Sequence, residues 1–156
     1  MFDVPVESTY VWVALALVSA SMLGLAVRVP SAPPPDATEV ARTVDSVASS
    51  PYEATARHPL DAAEIRLGSE RVGVRTEAGA SHAGFAYDRV VPVGGSASLR
   101  RVLRGRPPER VFDSERAFRN ALERGRTLTP SWRPAPERLL VRRVTWGDAN
   151  ATLVGA

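Results

Sequence analysis

The chain has 156 residues and a net charge of +3, all 20 of its basic residues are arginine, and it contains no cysteine. The absence of cysteine excludes disulfides, thiolate metal sites, a cysteine nucleophile and lipidation of an N-terminal cysteine. The charge is uneven, with a net −4 over residues 1–97 and a net +7 over residues 98–156, a polarity that can indicate a charged partner.

An uncharged run of 20 residues occupies positions 8–27. At about 1.5 Å per helical residue, this run spans the roughly 30 Å hydrocarbon layer of a membrane. Tyr10 and Trp12 lie near one end, where amphipathic rings favour the interface, and Arg28 closes the other end. We therefore predict a transmembrane helix at 10–28 and a single-pass protein of the cell membrane.

Two other interpretations explain this run less well. A buried soluble helix usually carries a polar stripe, whereas only Ser19 and Ser21 interrupt the apolar surface here. A cleaved signal peptide needs a basic region before its apolar core, and residues 1–7 contain two acids and no arginine. The side of the membrane stays open, because the basic residues favour a cytoplasmic domain and the glycosylation pattern at 150–152 requires the opposite.

Small residues line one face of the predicted span: Ala16, Ala20 and Gly24 lie four residues apart. This spacing lets two transmembrane helices approach closely, so we predict a helix-packing face and a membrane-protein partner. The alternative is that alanine and glycine are common in any span of this composition.

The sequence on either side of the span divides into a short tail at 1–9, a proline-rich linker at 29–35 and a domain at 36–156. Asp36 can cap a helix, with Glu39 completing a capping-box pair. The apolar residues of this helix recur at helical spacing and are expected to pack in the core: Val40, Ala41, Val44, Val47 and Ala48. A partner helix or the membrane surface is the alternative for this face.

Residues 51–63 are typical of a loop. Alternating apolar residues then predict an antiparallel meander with one buried face. Its strands are expected at 64–67, 71–76 and 82–87. Residues 90–93 can extend the meander, with Pro92 marking an edge.

Two further short helices follow, the first capped by Ser96 or Ser98 and the second by Asp113 or Ser114, with Gly125 just past its end. Strands are then predicted at 138–146 and 151–154, joined by a turn at 147–148. The predicted fold class is α+β: a transmembrane helix, a proline linker, and one small domain with an antiparallel sheet and three short helices.

The sequence predicts no catalytic site, metal or cofactor. Neither His58 nor His82 has the spacing of a metal ligand pair. The glycine-rich segment 93–96 opens a helix and can cradle an anion, but it lacks a phosphate-loop lysine, so a flexible turn is favoured. A remote alternative is an enzyme that uses His58, Asp61 and Glu64.

An arginine-dense stretch supplies the candidate anion-contact residues: Arg100, Arg101, Arg104, Arg106 and Arg110. Such a patch attracts anionic lipid headgroups or another polyanion. Interleaved acids such as Glu109 and Asp113 favour local ion pairs instead, and nucleic acid is disfavoured because no aromatic residues alternate with the arginines. Trp132 and Trp146 are expected in the core or a loop lid, with a partner surface as the alternative.

Several segments together resemble a family of uncharacterised single-span proteins from halophilic archaea: MFDVPV at 1–6, YVWV at 10–13, APPPD at 32–36, PPERVF at 107–112, WRPAP at 132–136 and RRVTWG at 142–147. The resemblance implies association with type IV pilus-like or type II secretion machinery and carries over no catalytic residue. Two departures count against a pilin itself: no basic cleavage site precedes the span, and Glu7 lies before the span rather than inside it.

The sequence thus favours a non-catalytic, membrane-anchored accessory or structural protein in such an assembly. The alternative is a tethered binding module whose arginine-rich face contacts anionic lipid or another polyanion.

Overall fold

A computed structural model describes Val13, residues 15–18, 35–87 and 90–155. The chain divides into two compact units, Met1–Pro33 and Pro34–Ala156. In the first unit, Val13 and residues 15–18 are helical, and their side chains are exposed. No helix among the described residues has both the length and the hydropathy to cross a membrane.

Most of the predicted anchor therefore lies outside the described residues. This applies to Ala20 and Gly24 of the predicted helix-packing face, to the tail at 1–9 and to nearly all of the linker. Ala16 is described and lies in the helical stretch with its side chain exposed.

Helix α1 (Ala37–Ala48) opens the second unit, as predicted. Asp36 caps it, because its Oδ1 accepts a hydrogen bond of 2.8 Å from the Thr38 backbone N–H. The predicted capping box does not form: Glu39 Oε1 instead accepts from Arg42 Nη1 at 2.8 Å. The apolar face is buried, which confirms its expected place in the core.

The described residues form eight strands in two four-stranded sheets rather than the single predicted sheet. Sheet A has the order β1 (Thr55–Pro59), β7 (Arg138–Trp146), β8 (Ala149–Gly155), β5 (Val90–Pro92). Sheet B has the order β4 (Gly79–Gly84), β3 (Arg71–Thr76), β2 (Glu64–Leu67), β6 (Trp132–Pro134). All neighbouring strands are antiparallel except β5 and β8, which run parallel.

The strand predictions hold for β2, β3 and β7 and fail in four places. Residues 51–63 contain β1, which pairs with β7. Strand β4 occupies Gly79–Gly84 rather than the predicted 82–87. It begins three residues earlier because the turn before it is only two residues long. The segment at 90–93 does not extend the meander but joins the other sheet, where β5 is an edge strand as Pro92 indicated. Strand β6 was not predicted at all.

The later helices are α2 (Ala97–Leu103), a single 3-10 turn (Pro108–Arg110) and α3 (Glu115–Arg126). Ser96 caps α2 and Ser114 caps α3, each accepting a 3.2 Å hydrogen bond from a first-turn N–H. Gly125 does not follow α3 but lies inside it, buried against β5. A side chain there would come within 2.6 Å of Val91 Cγ1.

Sheet A is the central layer of the second unit. One of its faces, with Leu139 and Val141, packs against α1 and sheet B. The opposite face, with Val144 and Leu153, packs against α2 and α3 around Phe118. A pocket lies where the edges of the two sheets meet, and residues of both sheets line it.

Candidate functional site

The five candidate anion-contact arginines lie along α2 and the segment after it. Arg100 and Arg101 are on α2, Arg104 is its C-cap, Arg106 follows, and Arg110 ends the 3-10 turn. All five are exposed. Within the described residues none of them makes an ion pair, although Arg101 Nη2 donates to Ser98 Oγ at 3.3 Å.

The acids expected to neutralise this stretch are engaged elsewhere or make no ion pair with it. Glu115 pairs with Arg119 at 3.8 Å and Glu123 pairs with Arg126, both on α3. The arginine-dense stretch is therefore partly paired, at Arg119 and Arg126, whereas the five candidate residues are exposed and have no ion pair with a described residue.

The structure places two of the five in different concave surfaces. Arg104 lines a basic groove at the β1 edge of sheet A, together with Arg57, Arg138 and Arg142. Glu53 is the one acid among the described residues that line this groove. Arg100 lines a separate, mostly apolar pocket between the two sheets, which Arg133 also lines. We call it the apolar pocket.

Arg142 and Arg143 on β7 have structural roles. Arg142 is largely buried, donates to the Val102 carbonyl at 2.7 Å and lies 3.7 Å from Glu53. Arg143 donates to the Ala48 carbonyl at the end of α1. Both guanidinium groups thus bond backbone carbonyls in the last turn of a helix, and the Val102 carbonyl also accepts from the Gly105 N–H at 3.0 Å. The two side chains are therefore held by the fold.

The apolar pocket has a volume of about 190 Å³ and lies where the edges of the two sheets meet. Its walls are apolar residues of both sheets, and Arg100 and Arg133 are its charged residues. Arg133 was not singled out from the sequence. Its guanidinium lies against the turn at Gly94, in the segment where a flexible turn was favoured, and the structure confirms a turn there.

A second cluster covers the outer face of sheet B. The Arg75 guanidinium lies 4.1 Å from the centroid of the Trp132 ring, and the Arg75 Nη1 donates to Glu64 Oε2 at 2.7 Å. The His82 ring meets Trp132 edge-on, with 5.6 Å between centroids. Trp132 is thus half-buried on a sheet surface rather than in the core.

Trp146 does occupy a core-like position, as predicted. Its ring centroid lies 6.0 Å from that of Phe118, and Phe118 in turn lies 5.4 Å from Phe112. These rings pack against the helix-covered face of sheet A.

Two of the three residues considered for enzyme chemistry, His58 and Glu64, bond to residues outside that group. His58 Nδ1 is 2.9 Å from Thr43 Oγ1, and Glu64 is paired with Arg75. In the part of the chain that the structure describes, no three His, Cys, Asp or Glu residues come together as metal ligands.

Comparison with known protein families places the chain in one of them. Residues 3–144 match a family of unknown function, DUF7283. No curated protein and no solved structure matches the chain.

Proposed function

The chain belongs to this family of unknown function, and from its own residues we propose that it is a non-catalytic, membrane-anchored accessory or structural protein. The observation that carries the proposal is the uncharged run of 20 residues at 8–27. Its described positions agree in character, because Val13, Leu15 and Leu17 are helical with exposed apolar side chains. Such side chains are stable in contact with lipid.

The sequence resemblance supports a setting for this role, namely an archaeal secretion or pilus-like assembly. In that setting the small-residue face at Ala16, Ala20 and Gly24 packs on another membrane protein. The folded domain would then be held next to the assembly by the linker at 29–35.

The anchor is tested by fractionating cells that express the full-length chain. We expect the protein in the membrane pellet after high-speed centrifugation, and we expect it to resist extraction by alkaline carbonate but not by detergent. Recovery of the unprocessed chain in the supernatant without detergent would refute the proposal.

The partner is tested by mild crosslinking followed by detergent purification. Crosslinks to other membrane proteins are expected for the wild-type chain and should weaken when Ala16, Ala20 and Gly24 are replaced by leucine, which prevents close helix approach. Recovery only as an uncrosslinked monomer would count against an assembly role.

A second candidate function is a tethered module whose arginine face contacts anionic lipid or another polyanion. The observation that favours it is the absence of ion pairs at Arg100, Arg104, Arg106 and Arg110 among the described residues. Each basic residue near an anionic membrane contributes about 1 kcal/mol of attraction.

Flotation of residues 34–156 with liposomes tests this candidate. Binding should require anionic lipid, fall with salt, and weaken strongly when three of the candidate arginines, Arg104, Arg106 and Arg110, become glutamine. The matched control replaces three arginines that already have acidic partners: Arg42, Arg75 and Arg119. Equal losses in the two variants, or binding that ignores salt and lipid charge, would refute specific contact by this face.

A further inference from the structure

The apolar pocket has walls from both sheets. Sheet B contributes Ile65 and Pro134, and sheet A contributes Pro92, Leu139 and Gly155. Ile65 and Leu139 are almost completely buried and form the base of the pocket, whereas lining residues such as Leu67 and Pro136 are partly exposed. A concave, mostly apolar site with a few polar groups at its rim is the usual form of a small-molecule site.

The size of the pocket limits what it can hold. Its volume of about 190 Å³ is slightly larger than an engineered cavity of about 150 Å³ that binds benzene in another protein. The apolar part of a ligand is therefore the size of one ring or one branched aliphatic chain.

The charged residues at the pocket indicate which polar group the ligand carries. Arg100 and Arg133 both line it, and no aspartate or glutamate is among the described residues of its lining. Neither guanidinium makes an ion pair or a hydrogen bond with a described residue. Two arginines without a counter-ion at the rim of an apolar site favour an anionic group, because each guanidinium can donate two parallel hydrogen bonds to a carboxylate.

The position of Arg133 is set by the fold. Arg133 is the cross-strand partner of Ile65, so the two residues lie on the same, core-directed side of sheet B. The guanidinium then passes close over Gly94, where any side chain would collide with it. Gly94 does not have a positive φ, so the Arg133 guanidinium, rather than the backbone conformation, is what a side chain at this position would meet.

We propose that the apolar pocket is a binding site for a small organic anion, a carboxylate carried on a branched or ring hydrocarbon. The hydrocarbon lies against the partly exposed Leu67, Ala135 and Pro136, and the carboxylate bridges Arg100 and Arg133. The same chemistry can come from a free acid or from the terminal residue of a polypeptide. The site requires neither the membrane anchor nor the assembly proposed above.

Ligand-observed NMR titration of the full-length chain in zwitterionic nanodiscs tests the proposal, with empty nanodiscs subtracted. The probe is 4-methylpentanoate, and we expect a Kd on the order of 1 mM or below. The neutral 4-methylpentanamide and acetate should each bind at least about tenfold more weakly, because the first lacks the charge and the second the hydrocarbon. N-acetyl-Gly-Leu represents the end of a polypeptide, and its binding is compared with that of its C-terminal amide.

Three variants test the assigned residues. Arg133→Gln and Arg100→Gln should each weaken binding of 4-methylpentanoate by about tenfold, the value of a charged hydrogen bond. Gly94→Ala should weaken it as well, because the added methyl group displaces Arg133 without changing the net charge. Arg110→Gln is the matched control, since it removes an exposed arginine outside the pocket, and binding should stay within about twofold.

Thermal unfolding first shows that each variant is folded. The binding results then distinguish a free acid from a polypeptide end as the ligand. Tighter binding of 4-methylpentanoate indicates a free acid as ligand, and tighter binding of N-acetyl-Gly-Leu indicates a polypeptide end; either result supports the site. The proposal is overturned if neither probe saturates at about ten times the expected Kd. Equal binding of the acid and the amide, or equal losses in the Arg110 and Arg133 variants, overturns it too.

Discussion

Arg142 and Arg143 are neighbours on β7, yet each donates to the carbonyl end of a different helix on opposite faces of sheet A. Arg142 reaches Val102 at the end of α2, and Arg143 reaches Ala48 at the end of α1. Because consecutive side chains of a strand point to opposite faces, this dipeptide fixes both helix layers to the central sheet.

Loss of either arginine should therefore destabilise the fold. Arg142→Ala and Arg143→Ala are each expected to lower the free energy of unfolding by about 1.5–3 kcal/mol, the range for hydrogen bonds to charged groups. The control is Arg138→Ala on the same strand, which is exposed and should change it by less than about 0.5 kcal/mol. Chemical unfolding of the full-length chain measures all three, and a control as unstable as the other two would contradict the assignment.

Gly125 should resist substitution even though it lies in a helix. Alanine in place of glycine normally stabilises a helix by about 1 kcal/mol, but the new methyl group would lie 2.6 Å from Val91 Cγ1. Val91 is fully buried and cannot move aside cheaply, and overpacking costs about 1–3 kcal/mol. We expect Gly125→Ala to be destabilising in net, measured by chemical unfolding, whereas Gly84→Ala, with its nearest neighbour at 3.8 Å, should be close to neutral.

The cap of α3 can be assigned by two substitutions. Ser114 Oγ accepts from the Ala117 N–H at 3.2 Å, so Ser114→Ala should cost about 1 kcal/mol of unfolding free energy. Asp113 makes no such bond to the first turn of the described helix, and Asp113→Ala should be nearly silent. The reverse order in thermal unfolding would show that Asp113 is the cap.

Asp36 should give a small acid-dependent contribution to stability. The backbone N–H of Thr38 donates to its carboxylate, which lowers the pKa of Asp36 below its ordinary value of 3.8. The folded state therefore favours the charged carboxylate, so the contribution is complete well above pH 3.8 and is lost as pH falls through the folded pKa. An NMR titration of the Asp36 carboxyl carbon should give a midpoint below 3.8, and a midpoint at or above it would contradict the cap.

Local patterns were sufficient for the elements whose signals are local. The capped amphipathic run at 36–48 predicts α1, and alternation within β2, β3 and β7 predicts strands that bury one face. The turn at Gly147 also follows from sequence, because its φ of 58° is a conformation that favours glycine.

Strands that form only because they pair with distant parts of the chain could not be predicted from the sequence. The residues of β1, TARHP, do not alternate in polarity, and that strand exists because it pairs with β7, whose partner residues lie 79 to 87 positions later. Strand β6 is only three residues long, and its Arg133 joins the pocket solely through its register with Ile65. Arg100 was identified from composition, but no local signal shows that Arg133 would lie beside the same pocket.

The order of strands in sheet A has a consequence for how the domain acquires its structure. The two inner strands, β7 and β8, are made after all the others, while their outer neighbours β1 and β5 emerge much earlier. A nascent chain thus carries half of that sheet without the strands it must pair with, and formation of long-range pairs is slow. Premature release of the polypeptide before residue 138 should leave β1 and β5 unpaired and prone to aggregate.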